Sequence, residues 1–462
     1  MTQLLDHSLR ELARGLRDGT FSAADLLREA TANLESTEPR LGAYKTRTAA
    51  LAESAAAAAD ALFRGGSDTG LFQGIPISVK DIYGVPGIPV FAGTSRELPP
   101  KFQAAGPIVR GLLEESAVML GKTHTVECAF GAVGMNNHWR TPWNPWDAKQ
   151  HRAPGGSSSG AGVALCQRSA VISLGSDTAG SVRVPASLTG SVGYKPTIGR
   201  WPTEGIFPLS PYLDTPGILA RTVEDALAAA AAIDRRLGRA ENAIGEVKSL
   251  RIGVPDEFFW DDCDPGVAEG VRDALTEVER KGHRLVPISF SEAVQAYEVI
   301  KAGGTSGAEL LAFLTRELPD WIGQLDPNTG IRMRAAADIS AVEWLGRKLK
   351  LDALARQARR IFADVDVVAT PTVAMTPPVL ASIKTWDDYR PVNMKIARNT
   401  SIANLLQLNA LTLPVALDAA RMPVGLQIMA DHGRDDYLFA AGMALEKALG
   451  TGRERLGMPP LG

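Results

Sequence analysis

The pattern of apolar and polar positions divides the chain into a helical beginning and a strand-rich remainder. Charged residues interrupt the apolar pattern of residues 1–65 in the way that is typical of amphipathic helices. Ser22 followed by Asp25 resembles a capping box, which predicts that a helix starts there. From Gly74 onward, β-branched residues are mixed with glycines and prolines, a pattern that indicates strands and turns. The chain is therefore expected to enter a β-sheet near Gly74.

Predicted strands and predicted helices alternate through the rest of the chain. The expected strands lie in "PISVK", "AVMLGKTHT", "SAVISLG", "SLRIGVP", "HRLVPI", "DVVATPTV", "LTLPVAL" and "PVGLQIMA". The expected helices lie in "SGAGVALCQR", "TVEDALAAAAAI" and "GVAEGVRDALTEVERKG", with another from Ser181 and more within residues 300–360. This alternation favours an α/β fold with a large mixed sheet.

Composition indicates a soluble globular protein and excludes several classes of function. The 462 residues are 45% apolar and 22% charged, with a net charge of −3. Because no basic block occurs, neither nucleic acid nor an anionic membrane is an expected partner. The longest apolar runs are too short to cross a bilayer, and the charged N-terminal segment is not typical of a signal peptide. Three cysteines without CxxC spacing favour a reducing, cytoplasmic compartment over a disulfide framework or a zinc site.

A stretch rich in glycine and serine, residues 155–187, follows a long polar loop. Loops of more than about 12 residues without secondary structure are usually functional. One interpretation of this region is a phosphate-binding loop, since "GKT" at residues 121–123 follows a predicted strand. That motif requires glycine where Ser116 stands, so the interpretation is not favoured.

A second interpretation is the nucleophile elbow of an α/β-hydrolase. Residues 156–160 match G-x-S-x-G with Ser158 at its centre, and His432 lies late in the chain, as a catalytic triad of that class requires. An elbow must directly follow a strand, whereas two prolines and no β-branched run precede this one. Ser158 and its neighbour Ser159 are instead predicted to cap a helix.

The third interpretation uses two separated serines and a lysine. Ser181 ends "GSDTAGS", where a strand stops and a helix is expected to begin. Backbone N–H groups at such a turn point into one concavity and receive the oxyanion that forms when a hydroxyl attacks a carbonyl. Ser181 needs a base, and no histidine lies nearby in the sequence. Lys80 ends the apolar run "PISVK" and becomes a competent base when burial lowers its pKa from about 10.4.

Several ordered segments of the chain resemble the amidase signature family. The matching segments are "GIPISVKDI", "GKTHTVECAFG", "NPWD", "PGGSSSG", "GSDTAGSVRVPA", "GYKPTIGR" and "MPVGLQIM". The strong match covers residues 70–220, and the flanking regions are similar only in their general pattern of residue types. The resemblance implies an α/β fold with a large mixed, mostly parallel, twisted β-sheet covered by helices on both faces.

The resemblance implies a Ser–cis-Ser–Lys catalytic triad. Ser181 falls on the nucleophile of the family, Ser157 on its bridging serine and Lys80 on its base. In the family a non-proline cis peptide precedes the bridging serine. A lysine does not easily reach both the nucleophile and a leaving amine, so a hydroxyl between them relays the proton.

The resemblance also implies roles for residues around the triad. The oxyanion hole of the family consists of backbone N–H groups that lead into the nucleophile, which here belong to Thr178, Ala179, Gly180 and Ser181. A structural pair that braces this loop falls on Asp177 and Arg183. Positions near the acyl pocket fall on Ala129, Phe130 and Gly131. The sequence departs from the usual family residues at Ile82, Ser159, Ala179, Gln407 and Asn409, which leaves the shape of the pocket open.

The expected organisation is a single amidase domain over residues 1–462. Its parts are an N-terminal helical region at 1–68, the signature core at 70–220, and the rest of the sheet with variable pocket elements at 221–462. The loops expected to shape the pocket are residues 130–150, 300–345 and 375–395. The chemistry implied needs no metal and no cofactor.

The function expected from these residues is hydrolysis of a carboxylic amide through an acyl-enzyme. Carbamates, urethanes and some esters follow the same path, so the expected partner is a small-molecule amide or carbamate. One alternative is the glutaminase component of a transfer-RNA-dependent amidotransferase, which requires a partner protein. Another is a non-catalytic binding protein on this scaffold, which requires loss of a triad residue, whereas all three are present. The oligomeric state stays open, with a homodimer as one alternative.

Overall fold

The computed structural model describes residues 3–239, 245, 247–255 and 257–461. Within them, eleven strands form one sheet in the order β1-β3-β2-β4-β6-β5-β10-β11-β9-β7-β8. The strands are β1 (Tyr44–Arg47), β2 (Pro76–Lys80), β3 (Val118–Thr123), β4 (Ile172–Asp177), β5 (Val192–Lys195), β6 (Thr215–Ala220), β7 (Arg251–Pro255), β8 (Arg284–Ile288), β9 (Val367–Pro371), β10 (Asn409–Leu417) and β11 (Pro423–Ala430).

The sheet is mixed, as predicted, but the expectation that it is mostly parallel is wrong. Among the described strands, four neighbouring pairs are parallel, namely β2 with β3, β2 with β4, β7 with β8 and β7 with β9. The other six pairs are antiparallel. Strands β10 and β11 are joined by the short connection 418–422, and a short connection returns the chain antiparallel because a parallel pair needs a long crossover.

Helices connect and cover the strands. In the described residues they are α1 (Leu9–Arg17), α2 (Ala23–Leu41), α3 (Ala49–Arg64), α4 (Pro107–Glu114), α5 (Ala161–Cys166), α6 (Arg183–Thr189), α7 (Val223–Arg236), α8 (Val267–Arg280), α9 (Ser291–Lys301), α10 (Ser306–Glu317), α11 (Pro319–Ile322), α12 (Pro327–Ala337), α13 (Ala341–Ala358), α14 (Trp386–Leu405), α15 (Asp435–Leu449) and α16 (Gly452–Leu456). Ser22 and Asp25 form the predicted capping box at the start of α2. None of the described helices is long and apolar enough to span a bilayer.

Both faces of the central strands are covered. Every residue of β2, β3, β4, β6 and β11 is buried, although successive side chains of a strand point to opposite faces. Helices α6 and α15 both pack against β10, and α5 packs against β4. This confirms the predicted fold of a large sheet between helical layers.

Parallel pairing places the candidate chemistry at one edge of the sheet. Strands β2 and β4 are parallel neighbours with Val79 beside Leu174. The carboxyl ends of parallel strands meet at the same edge of a sheet, which is where ligands bind in open α/β folds. Lys80 is the last residue of β2 and Asp177 the last of β4. The loop that carries Ser181 follows β4 directly, so the fold brings the lysine and the glycine-serine region together.

Candidate active site

Lys80 is fully buried at the end of β2 and contacts two hydroxyl groups. Its Nζ lies 2.7 Å from the Oγ of Ser157 and 2.8 Å from the Oγ of Ser176. Burial lowers the pKa of Lys80 to about 7, although the carboxylates of Asp214 and Asp177 act to raise it. A substantial fraction of the amine is therefore neutral near physiological pH, which a base requires.

Ser157 lies in a segment held by backbone hydrogen bonds on both sides. The Gly156–Ser157 peptide bond is cis, as the family resemblance implies. The N–H of Gly156 donates to the carbonyl of Ala132 at 2.7 Å, and the N–H of Val126 donates to the carbonyl of Ser157 at 3.1 Å. These contacts fix the serine segment against residues 126–132 while its hydroxyl faces Lys80.

Ser181 lies next to this segment. The N–H of Ser158 donates to the carbonyl oxygen of Ser181 at 3.3 Å, so the two serine-bearing loops run side by side. Ser181 retains 7% of its surface exposed, whereas Ser157 and Lys80 retain none. The structure thus places the hydroxyl of Ser157 on Lys80 and the backbone of Ser181 beside the Ser157 segment, with Ser181 as the most exposed of the three.

The loop before Ser181 offers fewer free N–H groups than expected. The N–H of Gly180 donates to Oδ1 of Asp177 at 2.8 Å, so it is not free to bind an oxyanion in this structure. Within the described residues, the N–H groups of Thr178, Ala179 and Ser181 have no acceptor. Gly180 has φ of +121°, and a Cβ there would lie 2.0 Å from Oγ1 of Thr400, which explains why this position is glycine.

Asp177 and Arg183 form an ion pair that is completely buried. Nη2 of Arg183 lies 2.9 Å from Oδ1 of Asp177, and Nε lies 3.0 Å from Oδ2. The guanidinium also donates to the carbonyl of Thr400 and to the side chain of Asn404. Burial is the largest single influence and acts to raise the pKa of Asp177, but the charge and hydrogen bonds of Arg183, together with Lys195 and Asn404, lower that pKa to about 2. The pair ties the loop of Ser181 to helix α14.

Two residues at the site were missed by sequence reasoning. Ser176 carries the second hydroxyl that contacts Lys80. Its place within "GSDTAGS", directly before Asp177, was the sequence signal that could have identified it. Asp214 precedes β6 and belongs to none of the recognised motifs. It accepts hydrogen bonds from the Thr178 hydroxyl at 2.6 Å and from the N–H groups of Leu209 and Ser210. Burial raises the pKa of Asp214 to about 6.

The three residues assigned to the acyl pocket have different surroundings. Ala129 lines a small cavity together with Ser176 and Asp214. The ring of Phe130 lies under the guanidinium of Arg332 on α12, 3.2 Å from the ring centroid. A Cβ at Gly131 would lie 2.4 Å from the hydroxyl of Tyr389, so a larger residue there requires that side chain to move.

The other interpretations of the glycine-serine region find no geometric support. Lys122 of "GKT" lies inside β3 and pairs with Asp81 at 2.8 Å, fully buried. In the part of the chain that the structure describes, Ser158 makes no hydrogen bond to a histidine ring, and Nδ1 of His432 faces the carbonyl of Gln407. The predicted helix cap is wrong, because Gly160 occupies the N-cap of α5. The described residues contain no group of three or more His, Cys, Asp and Glu side chains placed to hold a metal.

Known proteins are similar to this chain over nearly their full length. The Amidase family profile matches residues 25–439. A 2-amino-5-chloromuconic acid deaminase of Comamonas testosteroni is 49% identical over 455 residues, which are 98% of this chain and 98% of that protein. The A component of the glutamyl-tRNA(Gln) amidotransferase from Picosynechococcus sp. is 33% identical over 96% of this chain and 98% of that protein.

Solved structures agree in fold. The crystal structure of an amidase is 28% identical and superposes with a TM-score of 0.87 over 96% of this chain and 100% of that one. The 6-aminohexanoate cyclic dimer hydrolase complexed with substrate has a TM-score of 0.84 over the whole of both chains at 23% identity, a likeness of fold. The resemblance read from the motifs is confirmed: the chain belongs to the Amidase family of amidase signature enzymes and is a hydrolase that acts on carbon–nitrogen bonds.

Proposed function

We propose that Lys80, Ser157 and Ser181 form a catalytic triad that hydrolyses a carboxylic amide through an acyl-enzyme. The observation that carries this proposal is the 2.7 Å contact between Nζ of buried Lys80 and Oγ of Ser157. A neutral amine with a pKa of about 7 is poised to take a proton from a hydroxyl at neutral pH. The same residues accept carbamates and esters, because all three reactions pass through a tetrahedral oxyanion.

In the acylation step, neutral Lys80 accepts the Ser157 proton while Ser157 accepts the proton of Ser181. The Ser181 oxygen bonds to the carbonyl carbon, and the carbonyl π electrons move to oxygen. When the intermediate collapses, the C–N bond breaks and Lys80 returns the proton through Ser157 to the leaving nitrogen. Water then attacks the ester, gives its proton to the same relay, and releases the acid as Ser181 regains its hydrogen.

The oxyanion is assigned to the N–H groups of Thr178, Ala179 and Ser181. All three are loop donors left without an acceptor in the described residues, while the Gly180 N–H is held by Asp177. Preorganised donors of this kind lower the barrier because they need no rearrangement as charge develops. Asp177 and Arg183 act as positioning residues that fix this loop on α14.

A second candidate function is deamination of an amino-substituted unsaturated acid. It is favoured by the 49% identity with the 2-amino-5-chloromuconic acid deaminase. Both reactions remove an amine from an sp² carbon and require a proton at the leaving nitrogen, so one relay serves either. The amidotransferase alternative is supported by a more distant relative, at 33% identity.

The test is a substrate panel on the purified chain alone, with ammonia or amine release as the readout. The panel contains aliphatic and aryl amides, carbamates, a urea, glutamine and a 2-amino-dienoic diacid, with Ser181→Ala protein as the control. Turnover of simple amides supports the amide hydrolase. Turnover of the dienoic acid alone supports the deaminase, and activity that needs glutamine and a partner protein supports the amidotransferase role.

Burial is the main influence on the pKa of Lys80, and the charge of Asp214 opposes it, so Asp214 is expected to shift the pH dependence of this relay. In the unmodified enzyme, kcat/KM is expected to rise with pH to a plateau, with its midpoint at the Lys80 pKa of about 7. Asp214→Asn removes a carboxylate that raises the pKa of Lys80. The pKa therefore falls further, and the midpoint of the profile moves to lower pH. Profiles of kcat/KM against pH check this. A midpoint that stays in place or moves upward contradicts the proposed coupling.

A further inference from the structure

Arg332 on α12 is a cation without a counterion at the predicted pocket. Its Nη1 donates to the carbonyl of Phe130 at 2.7 Å, and its guanidinium stacks on the Phe130 ring. Within the described residues, no carboxylate lies within ion-pair distance of Arg332, and its Nε and Nη2 make no hydrogen bond. Two N–H edges are therefore left for a ligand.

Arg332 is half-buried, so its guanidinium is only partly hydrated in the protein alone. Removing a charge from water without a partner destabilises the fold, so buried charges are normally paired. Arg183 and Arg200 follow this rule, since each forms an ion pair with at least one aspartate. Burial lowers the pKa of Arg332 to about 10, which still leaves it protonated at neutral pH. The site therefore keeps a permanent positive charge that another molecule can neutralise.

The backbone that contacts Arg332 is part of the candidate active site. Phe130 directly follows Ala129, which shares a cavity with Ser176 and Asp214. Two residues further on, the carbonyl of Ala132 accepts the N–H of Gly156, the neighbour of the bridging serine. A ligand on the free edge of Arg332 thus lies beside the segment that supports the triad.

Helix α12 is fixed to this segment at its N-terminus. The N–H of Asp326, the N-cap residue of α12, donates to Oε2 of Glu127 at 2.9 Å. The side chain of Asn137 donates to Oδ2 of Asp326 at 2.6 Å. These contacts hold the guanidinium at a set distance from the site, and prepositioned charges bind a ligand with less loss of freedom.

We infer that Arg332 binds a carboxylate of the substrate, so that the preferred substrates are C–N compounds that carry a second, ionised carboxyl group. The guanidinium is suited to this role because its planar fork matches a carboxylate in two parallel hydrogen bonds. The inference rests on the proposed function, because it places the scissile bond at Ser181. It names the substrate class that the triad alone leaves open.

The experiment compares monoamides of dicarboxylic acids with neutral amides of the same length. Malonamic, succinamic and glutaramic acids are matched with propanamide, butanamide and pentanamide, and ammonia release is measured. Arg332→Met removes the charge while keeping a long apolar stem over Phe130, and Arg332→Lys keeps a charge without the fork. The matched control is Arg334→Met, since Arg334 is exposed on the same helix.

At least one acid amide is expected to exceed its neutral partner in kcat/KM. Arg332→Met is expected to reduce kcat/KM for that acid by about 100-fold, the value of a charged hydrogen bond, mainly through KM. The neutral amides are expected to change by less than about 3-fold, Arg332→Lys to recover part of the loss, and Arg334→Met to have no effect. A wild-type preference for neutral amides, or an equal loss on both series, overturns the inference.

A binding measurement separates this inference from the proposed function. Calorimetric titration of malonate, succinate and glutarate into the Ser181→Ala protein requires no catalysis. Binding of one diacid that Arg332→Met abolishes supports the carboxylate site even if no amide is hydrolysed. Equal affinity in Ser181→Ala protein with and without Arg332→Met overturns it, whatever the activity assays show.

Discussion

Replacing Ser181 with alanine is expected to reduce kcat on every substrate of the enzyme by about 10⁴-fold or more, as loss of a nucleophile does in other serine hydrolases. The change removes one oxygen, and within the described residues that hydroxyl makes no hydrogen bond. The fold and substrate binding should therefore persist, with KM and the melting temperature close to those of the parent. Steady-state kinetics and thermal unfolding of the same preparation check both.

The matched control for this prediction is Ser158→Ala, one residue after the bridging serine. The Ser158 hydroxyl donates to the carbonyl of Ser176 at 3.5 Å and accepts its N–H at 3.4 Å, and within the described residues it makes no hydrogen bond to Lys80. Its removal should leave most of the activity. If Ser158→Ala were inactive and Ser181→Ala active, the nucleophile elbow would replace the mechanism proposed above.

Replacing Lys80 with methionine is expected to reduce kcat by about 10³-fold, within the range that general bases contribute. Methionine fills a similar volume without an amine, so the Ser157 hydroxyl loses its proton acceptor while the core remains packed. Residual activity should also lose the rise in kcat/KM around pH 7, because that rise reports the Lys80 amine. The pH profile distinguishes a lost base from a disturbed structure.

Lys195 offers a second buried lysine for comparison. Burial lowers the pKa of Lys195 to about 8, and its Nζ donates to the carbonyls of Pro196 and Leu408. Lys195→Met should lower stability, since two buried carbonyls lose their donor, while the pH rise near 7 persists. A Lys80→Met enzyme that keeps the parental rate and pH profile contradicts the relay.

The proposed triad was accessible to sequence reasoning because each member lies at a recognisable local pattern. Lys80 closes an apolar strand, Ser181 stands where a strand turns into a helix, and Ser157 lies in a glycine-serine loop. These patterns are local, and the seven ordered segments that match the family agree with them. The contact distances are a property of the fold, because β2 and β4 must first become neighbours.

Other features escaped because they depend on contacts distant in sequence. Asp214 lies 134 positions after Lys80 in the chain, and nothing around "YLDTPG" signals that its charge acts on the lysine. Arg332 lies on a helix whose pattern is ordinary, and its stacking on Phe130 without a nearby carboxylate is visible only in the described structure. The strands β1, β5 and β6 were not predicted, since each is short or interrupted by glycine and proline.

The direction of strand pairing also escaped prediction. Alternating helices and strands suggest parallel crossovers, but several connections in this chain contain no helix. Strands β5 and β6 pair antiparallel without a helix between them, and β10 and β11 form a hairpin. The number of free oxyanion donors was likewise overestimated, because the side chain of Asp177 turns back to take the Gly180 N–H.

The central claim is that the Ser181 hydroxyl is made nucleophilic by Lys80 acting through Ser157. Its most direct test is covalent labelling with a serine-directed fluorophosphonate, followed by mass-spectrometric location of the adduct. We predict a single adduct on Ser181, formed fast in the parent protein and slowly in the Lys80→Met and Ser157→Ala variants. An adduct on Ser158, or labelling of Ser181 at an undiminished rate in both variants, would contradict the claim.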